Sequence, residues 1–328
     1  MRRMFCLALA AVGGAAFAQV QVRPLPAKVA PPGGGIAADR AMVVYTGPTA
    51  FQKTVNSQAV VAGTVTISKD TVDVSPYQGA PVKITYRVAT VKVTDTLVGD
   101  KAETVKVLLG PSDPTYINEP FPGQPAPPYQ PQFPNNIQLI DGQEGVFFLT
   151  RLAGDADNFI LTGGCPPLNP LDTTYKPDLA EVKVVAAIYA DPVKSLKAEK
   201  SEDRVRAASV LVSRYSRPPA YDGKQYPQVA VAAEETKLIL KALKEADWAS
   251  WDKPQQPGEQ RDYMSSPANV LGQMQIYPGA QGKANFPQVK QQPGQGYHAA
   301  YKEAFDTWME GAGKDYEIKR YLQPNEKK

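Results

Sequence analysis

The spacing of apolar residues changes kind once along this chain, and that change restricts the folds open to it. From Ala59 to Thr162 β-branched and aromatic residues recur in alternation, the repeat of a strand. Past Cys165-Pro166-Pro167 and Pro170 they recur three and four apart, the repeat of a helix buried on one face. Strands first and helices after is an α+β arrangement, with a boundary near residues 165–176. The 328 residues, 43% of them hydrophobic, can bury a core of two-domain size, and 31 Pro with 25 Gly predict long irregular connections.

The N-terminus reads as an address. Met1-Arg2-Arg3, the apolar run from Met4 to Ala15 and the small residues Ala16 and Ala18 make the three parts of a secretory signal peptide, with cleavage after Ala18. The apolar run falls short of the ~20 residues that span a bilayer and is broken by Gly13-Gly14, so no transmembrane segment is expected after cleavage. The expected location is secreted or periplasmic. Arg2, Arg3 and Cys6 leave with the leader, so the rest of the 36 Lys and Arg nearly balance the 33 Asp and Glu. Lys319-Arg320 and Lys327-Lys328 are the only modest cationic clusters and read as solvated surface, so no nucleic-acid partner is expected. Residues 19–40, with Pro24, Pro26, Pro31, Pro32 and Gly33-Gly34-Gly35, read as a linker.

In the strand region, Thr49 to Ser57 predicts a short helix and Ala59 to Ile67 a first long strand. Pro81 opens the second. There Val82, Ile84, Tyr86 and Val88 share one parity and Ala89, Val91 and Val93 the other, so neither side is cleanly polar. Such a strand belongs to a curled sheet whose faces trade burial along their length, as in a small barrel. Glu103 to Leu109 follows Gly99-Asp100 as the third strand, and Glu144–Leu152 with Asn158–Thr162 predict a hairpin around residues 153–157.

Five strands in this order resemble an OB-like barrel of the netrin or metalloprotease-inhibitor type over residues 59–162. The resemblance is carried by the long second strand, by Val61-Ala62-Gly63-Thr64-Val65 and by Gly142-Gln143-Glu144 leading into Val146-Phe147-Phe148-Leu149. The whole chain is similar to exported bacterial proteins that join such a barrel to an α-helical tail. The resemblance implies contact through strand faces and connecting loops, and it transfers no catalytic residue. Metalloprotease inhibitors of that type act through an N-terminal cysteine and a disulfide framework, whereas Cys165 is the sole cysteine left past the leader.

Between the third and fourth strands, residues 111–134 carry nine prolines together with Tyr116, Phe121, Tyr129 and Phe133. A loop of this length either packs its aromatics over the barrel or offers them to a partner, and Tyr129 and Phe133 are the candidate contact residues.

Beyond the boundary, helices are predicted from Asp178 to about Ala190, after Asp191-Pro192, from Ser201, from Ala233 to Ala246, over Ser266 to Met274 and from His298 to Glu310. In the last, Tyr301, Phe305 and Trp308 form an aromatic stripe of the kind that fills a core. The predicted layout is therefore signal peptide 1–18, linker 19–40, five-stranded OB-like β-barrel 41–165 with insertion 111–134, and a small α-helical domain over 171–323.

The residue types exclude much familiar chemistry. One His and one cysteine past the leader rule out zinc ribbons, His-rich sites and an internal disulfide. Cys165 and His298 are spaced like a thiol protease pair, but Pro166, Pro167 and Pro170 deny the cysteine the helix N-terminus that would stabilise its thiolate. No Gly-x-Ser-x-Gly elbow or phosphate-cradling glycine motif is present, and Asp155 and Asp157 read as turn residues rather than calcium ligands. No cofactor or metal is expected. The expected function is an exported, non-catalytic binding or assembly module that meets an extracytoplasmic protein or envelope component through its barrel loops. The alternatives are an extracytoplasmic hydrolase with an acidic site and a protease-inhibitor-like protein.

Overall fold

A computed structural model describes residues 48–74, 83–111, 139–152, 158–219, 225–254, 263–278 and 285–322. Residues 47–328 belong to one compact unit. The expected leader and linker, residues 75–82 with Pro81 and Val82, most of the Pro-rich insertion with Tyr129 and Phe133, and residues 153–157 with Asp155 and Asp157 lie outside the described residues.

The protein is α+β, with a five-stranded mixed sheet and seven α-helices among the described residues. Strands β1 (Ala59–Val74), β2 (Ile84–Val98), β3 (Thr104–Pro111), β4 (Glu144–Arg151) and β5 (Asn158–Leu161) pair in the order β1-β2-β3-β5-β4, and β4 pairs back onto β1. All pairs are antiparallel except β3 with β5. The ring encloses Val61, Val65, Ala89, Val91, Val107, Phe147 and Leu149.

The mixed parity of β2 has a direct structural meaning. Ala89 and Val91 point into the ring, while Ile84, Tyr86 and Val88, on the other parity, pack with Val74, Leu108 and Leu152 in a separate cluster. The buried side changes between Val88 and Ala89, next to register shifts on both flanking ladders, and such irregularities let a strand twist and re-aim its side chains. At Gly63 the strands approach so closely that a Cβ would stand 2.3 Å from the Lys92 carbonyl oxygen.

β4 is buried on both faces. Phe147 points into the ring, while Phe148 packs outside it with Val60, Val146, Cys165, Leu168 and Val182. Val182 belongs to α2 (Tyr175–Ala190), so this cluster joins sheet to helices. Helix α1 (Ala50–Asn56) precedes the sheet in sequence yet contributes Phe51 and Val55 to the helical core and Ala50 to the junction. Its start is fixed by a capping box between Thr49 and Gln52.

The remaining helices are α3 (Pro192–Leu196), α4 (Ser201–Tyr215), α5 (Ala233–Lys244), α6 (Pro267–Gln273) and α7 (Tyr297–Glu310). Asp191 caps α3 through the Lys194 amide, with Pro192 at the first helical position, and Ser266 caps α6 through the Asn269 amide. Predicted and observed helix bounds agree within a few residues; α2 begins at Tyr175, one turn ahead of the expected Asp178 start. Phe305 and Trp308 of the aromatic stripe are buried with Trp248, and Tyr301 packs at the edge of that cluster. Two three-residue strands that the sequence pattern did not reveal, β6 (Gln228–Ala230) and β7 (Lys319–Tyr321), pair antiparallel beside the helices.

Candidate functional site

The described surface is indented where the end of α4 meets the β6–β7 ribbon. Two adjacent chambers lie there, of about 420 and 180 Å³, and they share Tyr215 and Tyr321 as walls. The larger falls within the usual size range of small-molecule pockets.

Local periodicity assigns side chains to each chamber. On β7, Lys319 and Tyr321 share one parity and line the larger chamber, whereas Arg320, between them, lines the smaller. On α4, Leu211 and Arg214 line the smaller, Val212 the larger and Tyr215 both, and Ser216, just past the helix, lines the larger. The ladder Gln228↔Tyr321, Val229↔Arg320 and Ala230↔Lys319 brings Gln228 to the larger chamber's rim.

The larger chamber is floored by buried Met274 and Ile318 and rimmed by exposed Gln228, Gln275 and Asn285. Gln273 accepts a 2.7 Å hydrogen bond from the Ser213 hydroxyl through Oε1, which leaves its amide nitrogen as a donor. The Tyr316 hydroxyl donates to the Met274 carbonyl at 2.8 Å and ties the last turn of α6 to the segment that leads into β7. Asp315, Glu317 and Lys319 add two acidic groups and one basic group.

Two non-glycine residues with left-handed backbones, Gln275 (φ 62°) and Asn285 (φ 49°), both stand in this wall. At Gln275 the cause is local. The Gln275 amide donates to the Gly272 carbonyl and the Ile276 amide to Leu271, each at 2.9 Å, which is a Schellman termination of α6. Glycine is the usual residue at that position, and a residue with a Cβ there costs about 1–2 kcal/mol. Strain of this kind concentrates at ligand clamps.

In the smaller chamber the Arg214 guanidinium lies 4.3 Å from the centre of the Tyr189 ring. The Tyr215 hydroxyl donates to the Glu235 carboxylate. Burial pushes the Tyr215 phenol well above its ordinary value and Glu235 adds to the rise, while Arg214 and Arg320 pull against it. Tyr189 is raised by burial, against the opposing charges of Arg214 and Arg217. Both phenols therefore remain neutral hydrogen-bonding groups at pH 7. Arg217 donates to the Val55 carbonyl at 2.7 Å and to the Asn56 side chain, anchoring α1 next to the end of α4.

The sequence-predicted residues fare differently. Tyr129 and Phe133 lie outside the described residues. Cys165 is buried against Val146, Phe148 and Leu168, and burial raises its thiol pKa despite Lys53 nearby, which disfavours the thiolate. His298 stands in the first turn of α7, with Nδ1 3.0 Å from Asp252 Oδ1 and its ring near those of Trp251 and Tyr297. Asp252 also accepts from the His298 and Ala299 amides at 2.9 and 3.0 Å and so caps α7. Burial pushes the Asp252 carboxyl up, but these hydrogen bonds and the His298 charge outweigh it and hold the pKa below its ordinary value. Lys319 is exposed and Arg320 half-buried, in keeping with the surface reading, and the pair stands at the edges of the two chambers.

No helix among the described residues is long and apolar enough to cross a membrane. The sequence matches no protein-family model and no curated protein.

Proposed function

We propose that the chain is an exported, non-catalytic binding module that holds a small polyhydroxylated ligand, of the size of a mono- or disaccharide, in the larger chamber. The observation that carries this reading is the placement of two amide-bearing residues with left-handed backbones, Gln275 and Asn285, in one wall of a chamber that also holds Gln228, Gln273 and the rings of Tyr215 and Tyr321. Carboxamides both donate and accept, as a sugar's hydroxyls require, and tyrosine rings cover its apolar C–H faces.

The export part rests on the leader through Ala18. The pairing order β1-β2-β3-β5-β4, returning to β1, supports an OB-like barrel of the type named above, joined to a helical part. In that reading the Pro-rich insertion, with Tyr129 and Phe133, is the contact to an extracytoplasmic protein or envelope component.

Calorimetric titration of the intact chain with glucose and maltose tests the chamber. Saturable binding that weakens on Gln273→Ala and Gln275→Gly is expected, and heat unchanged by either variant contradicts the assignment. Consumption of maltose would replace binding with hydrolysis, for which Asp315 and Glu317 are the acids at hand. Deleting residues 112–134 should abolish capture of the envelope partner and leave sugar binding intact; unchanged capture counts against the loop.

A further inference from the structure

We propose that a band of aromatic rings on the helical part, running from Tyr263 through Trp251, His298 and Tyr297 to Tyr301, is a docking surface for an uncharged, β-linked polysaccharide of the cellulose or chitin type. None of these residues lines either chamber, and the proposal does not depend on the function assigned to the chambers.

The rings form a continuous line. Ring centres are 6.2 Å apart from Tyr263 to Trp251, 6.1 Å from Trp251 to His298, 5.4 Å from His298 to Tyr297 and 4.9 Å from Tyr297 to Tyr301. Tyr301 in turn stacks at 5.9 Å on Phe286, which packs at 6.1 Å on buried Trp308, so the line is footed in the helical core. Outward it reaches solvent: Tyr263 is 65% and Tyr297 51% exposed, with Trp251, His298 and Tyr301 half-buried. The other large apolar residues exposed among the described ones, Ile140, Leu171 and Val184, are single aliphatics outside the band and need no partner to explain them.

The rings are held in place before any ligand arrives. Asp252 accepts from the His298 and Ala299 amides and from the His298 ring, which ties the turn Trp248–Asp252, with Trp251, to the start of α7. The Ser209 hydroxyl donates to the Met264 carbonyl at 3.1 Å and ties the turn Tyr263–Ser265 to α4. Tyr297 and Tyr301, four residues apart, share one face of α7. Little side-chain freedom is left to lose on binding.

A β-linked sugar chain is a flat ribbon, with C–H groups on its faces and hydroxyls along its edges. Its faces suit a line of rings and its edges suit polar groups beside them. Burial and the hydrogen bond with Tyr297 raise the Tyr301 phenol to about 12, so it keeps its proton at neutral pH. His298 spends Nδ1 on Asp252 and keeps Nε2 for an edge hydroxyl. The charges beside the rings are already spent within the fold. Asp247 accepts from the Ser250 amide at 3.1 Å, Asp252 is engaged by α7, Lys302 pairs with Asp306, and Glu303 accepts from Gln295 at 2.8 Å. These are all the charged side chains of residues 247–252 and 297–309, so the surface matches an uncharged polymer better than a protein, whose docking draws on complementary charge.

A plainer role for the band is to close the edge of the helical core. Titration of the intact chain with cellohexaose and chitohexaose, read by tryptophan fluorescence, separates the two roles. Trp248 and Trp308 are each 2% exposed, so a change on surface binding reports Trp251. Saturable binding of at least one hexamer is expected, with carboxymethylcellulose, the charged counterpart, binding more weakly. Tyr263→Ala and Tyr297→Ala should each lower the affinity about fivefold with the far-ultraviolet circular dichroism unchanged. Trp251→Ala should abolish binding, and if that variant does not fold, Tyr263→Ala, whose ring is mostly in solvent, still decides.

No saturable change with either hexamer, or an affinity unmoved in both folded tyrosine variants, overturns the proposal. So does carboxymethylcellulose binding as tightly as the neutral hexamers, or a synthetic peptide of residues 111–134 binding at Trp251 in their place, which would make the band a peptide surface. Gln273→Ala keeps the two sites distinguishable. Hexamer binding lost in that variant alone places the sugar chain in the larger chamber and overturns the band; hexamer binding that survives it, with glucose and maltose failing to bind, retains the band and retires the chamber reading.

Discussion

The sheet and the helical end of the molecule use their side chains in opposite ways. The ring of strands is filled with Val61, Val65, Val91, Val107, Phe147 and Leu149, and β4 is buried again on its outer face through Phe148. At the helical end, the meeting of α4, α6 and the β6–β7 ribbon leaves about 420 Å³ unfilled, walled by amides, tyrosines and charges, with left-handed backbone at two non-glycine positions. An element buried on both sides has little room to change without losing stability. Elements that meet only at their ends can hold polar groups apart at modest cost, which is where a ligand can be accommodated.

The largest expected effect tests whether the two regions are energetically separate. Phe147→Ala in the ring and Trp308→Ala in the helical core should each cost about 3–5 kcal/mol in urea unfolding. Because α1 and the Phe148–Val182 cluster join both cores, each variant should still unfold in one transition seen alike by far-ultraviolet circular dichroism and tryptophan fluorescence. Two resolved transitions would break that coupling.

Gly296→Ala comes next. A Cβ there would stand 2.0 Å from Asp252 Oδ2, so the substitution must displace the cap of α7, at about 1–3 kcal/mol by the cost of overpacking. Wild-type stability in this variant would show that the cap has another way to form.

Gln275→Gly should act with the opposite sign. Relief of the left-handed position is expected to add about 1 kcal/mol of stability while sugar affinity falls. A gain in stability without loss of affinity would make the strain a feature of the helix end alone.

The smallest effect concerns pH. The Asp252 carboxyl has a lower pKa folded than its ordinary value of 3.8, so its stabilising contribution is present above that value and is lost as the pH falls through the lowered folded pKa. Asp252→Asn keeps much of the cap but removes the charge and should flatten the acid limb of the stability curve, changing neutral-pH stability by under about 1 kcal/mol. An unchanged acid limb would contradict this account of the cap.

Much of the secondary structure was legible in the sequence. The burial exchange in β2 was visible in its two half-apolar parities, and α3 and α6 were announced by Asp191-Pro192 and Ser266-Pro267. The cleft was not. Its walls come from residues between 212 and 321 that no local pattern connects, and three-residue strands are too short for alternation to register. Lys319-Arg320 is a surface pair, and its place at the chamber edges follows only from the pairing of Gln228 and Val229 with Tyr321 and Arg320. Nor does a glutamine where glycine usually ends a helix mark itself; Gly272, three residues earlier, lies inside α6 instead.

The central claim is that ligand enters at the helical end and not on the sheet. Backbone amide shifts of the intact chain, followed during titration with maltose, test it most directly. The largest changes should fall at Tyr215, Gln228, Gln275 and Tyr321; largest changes at strand residues such as Lys92 or Lys106, with those four unmoved, would contradict it.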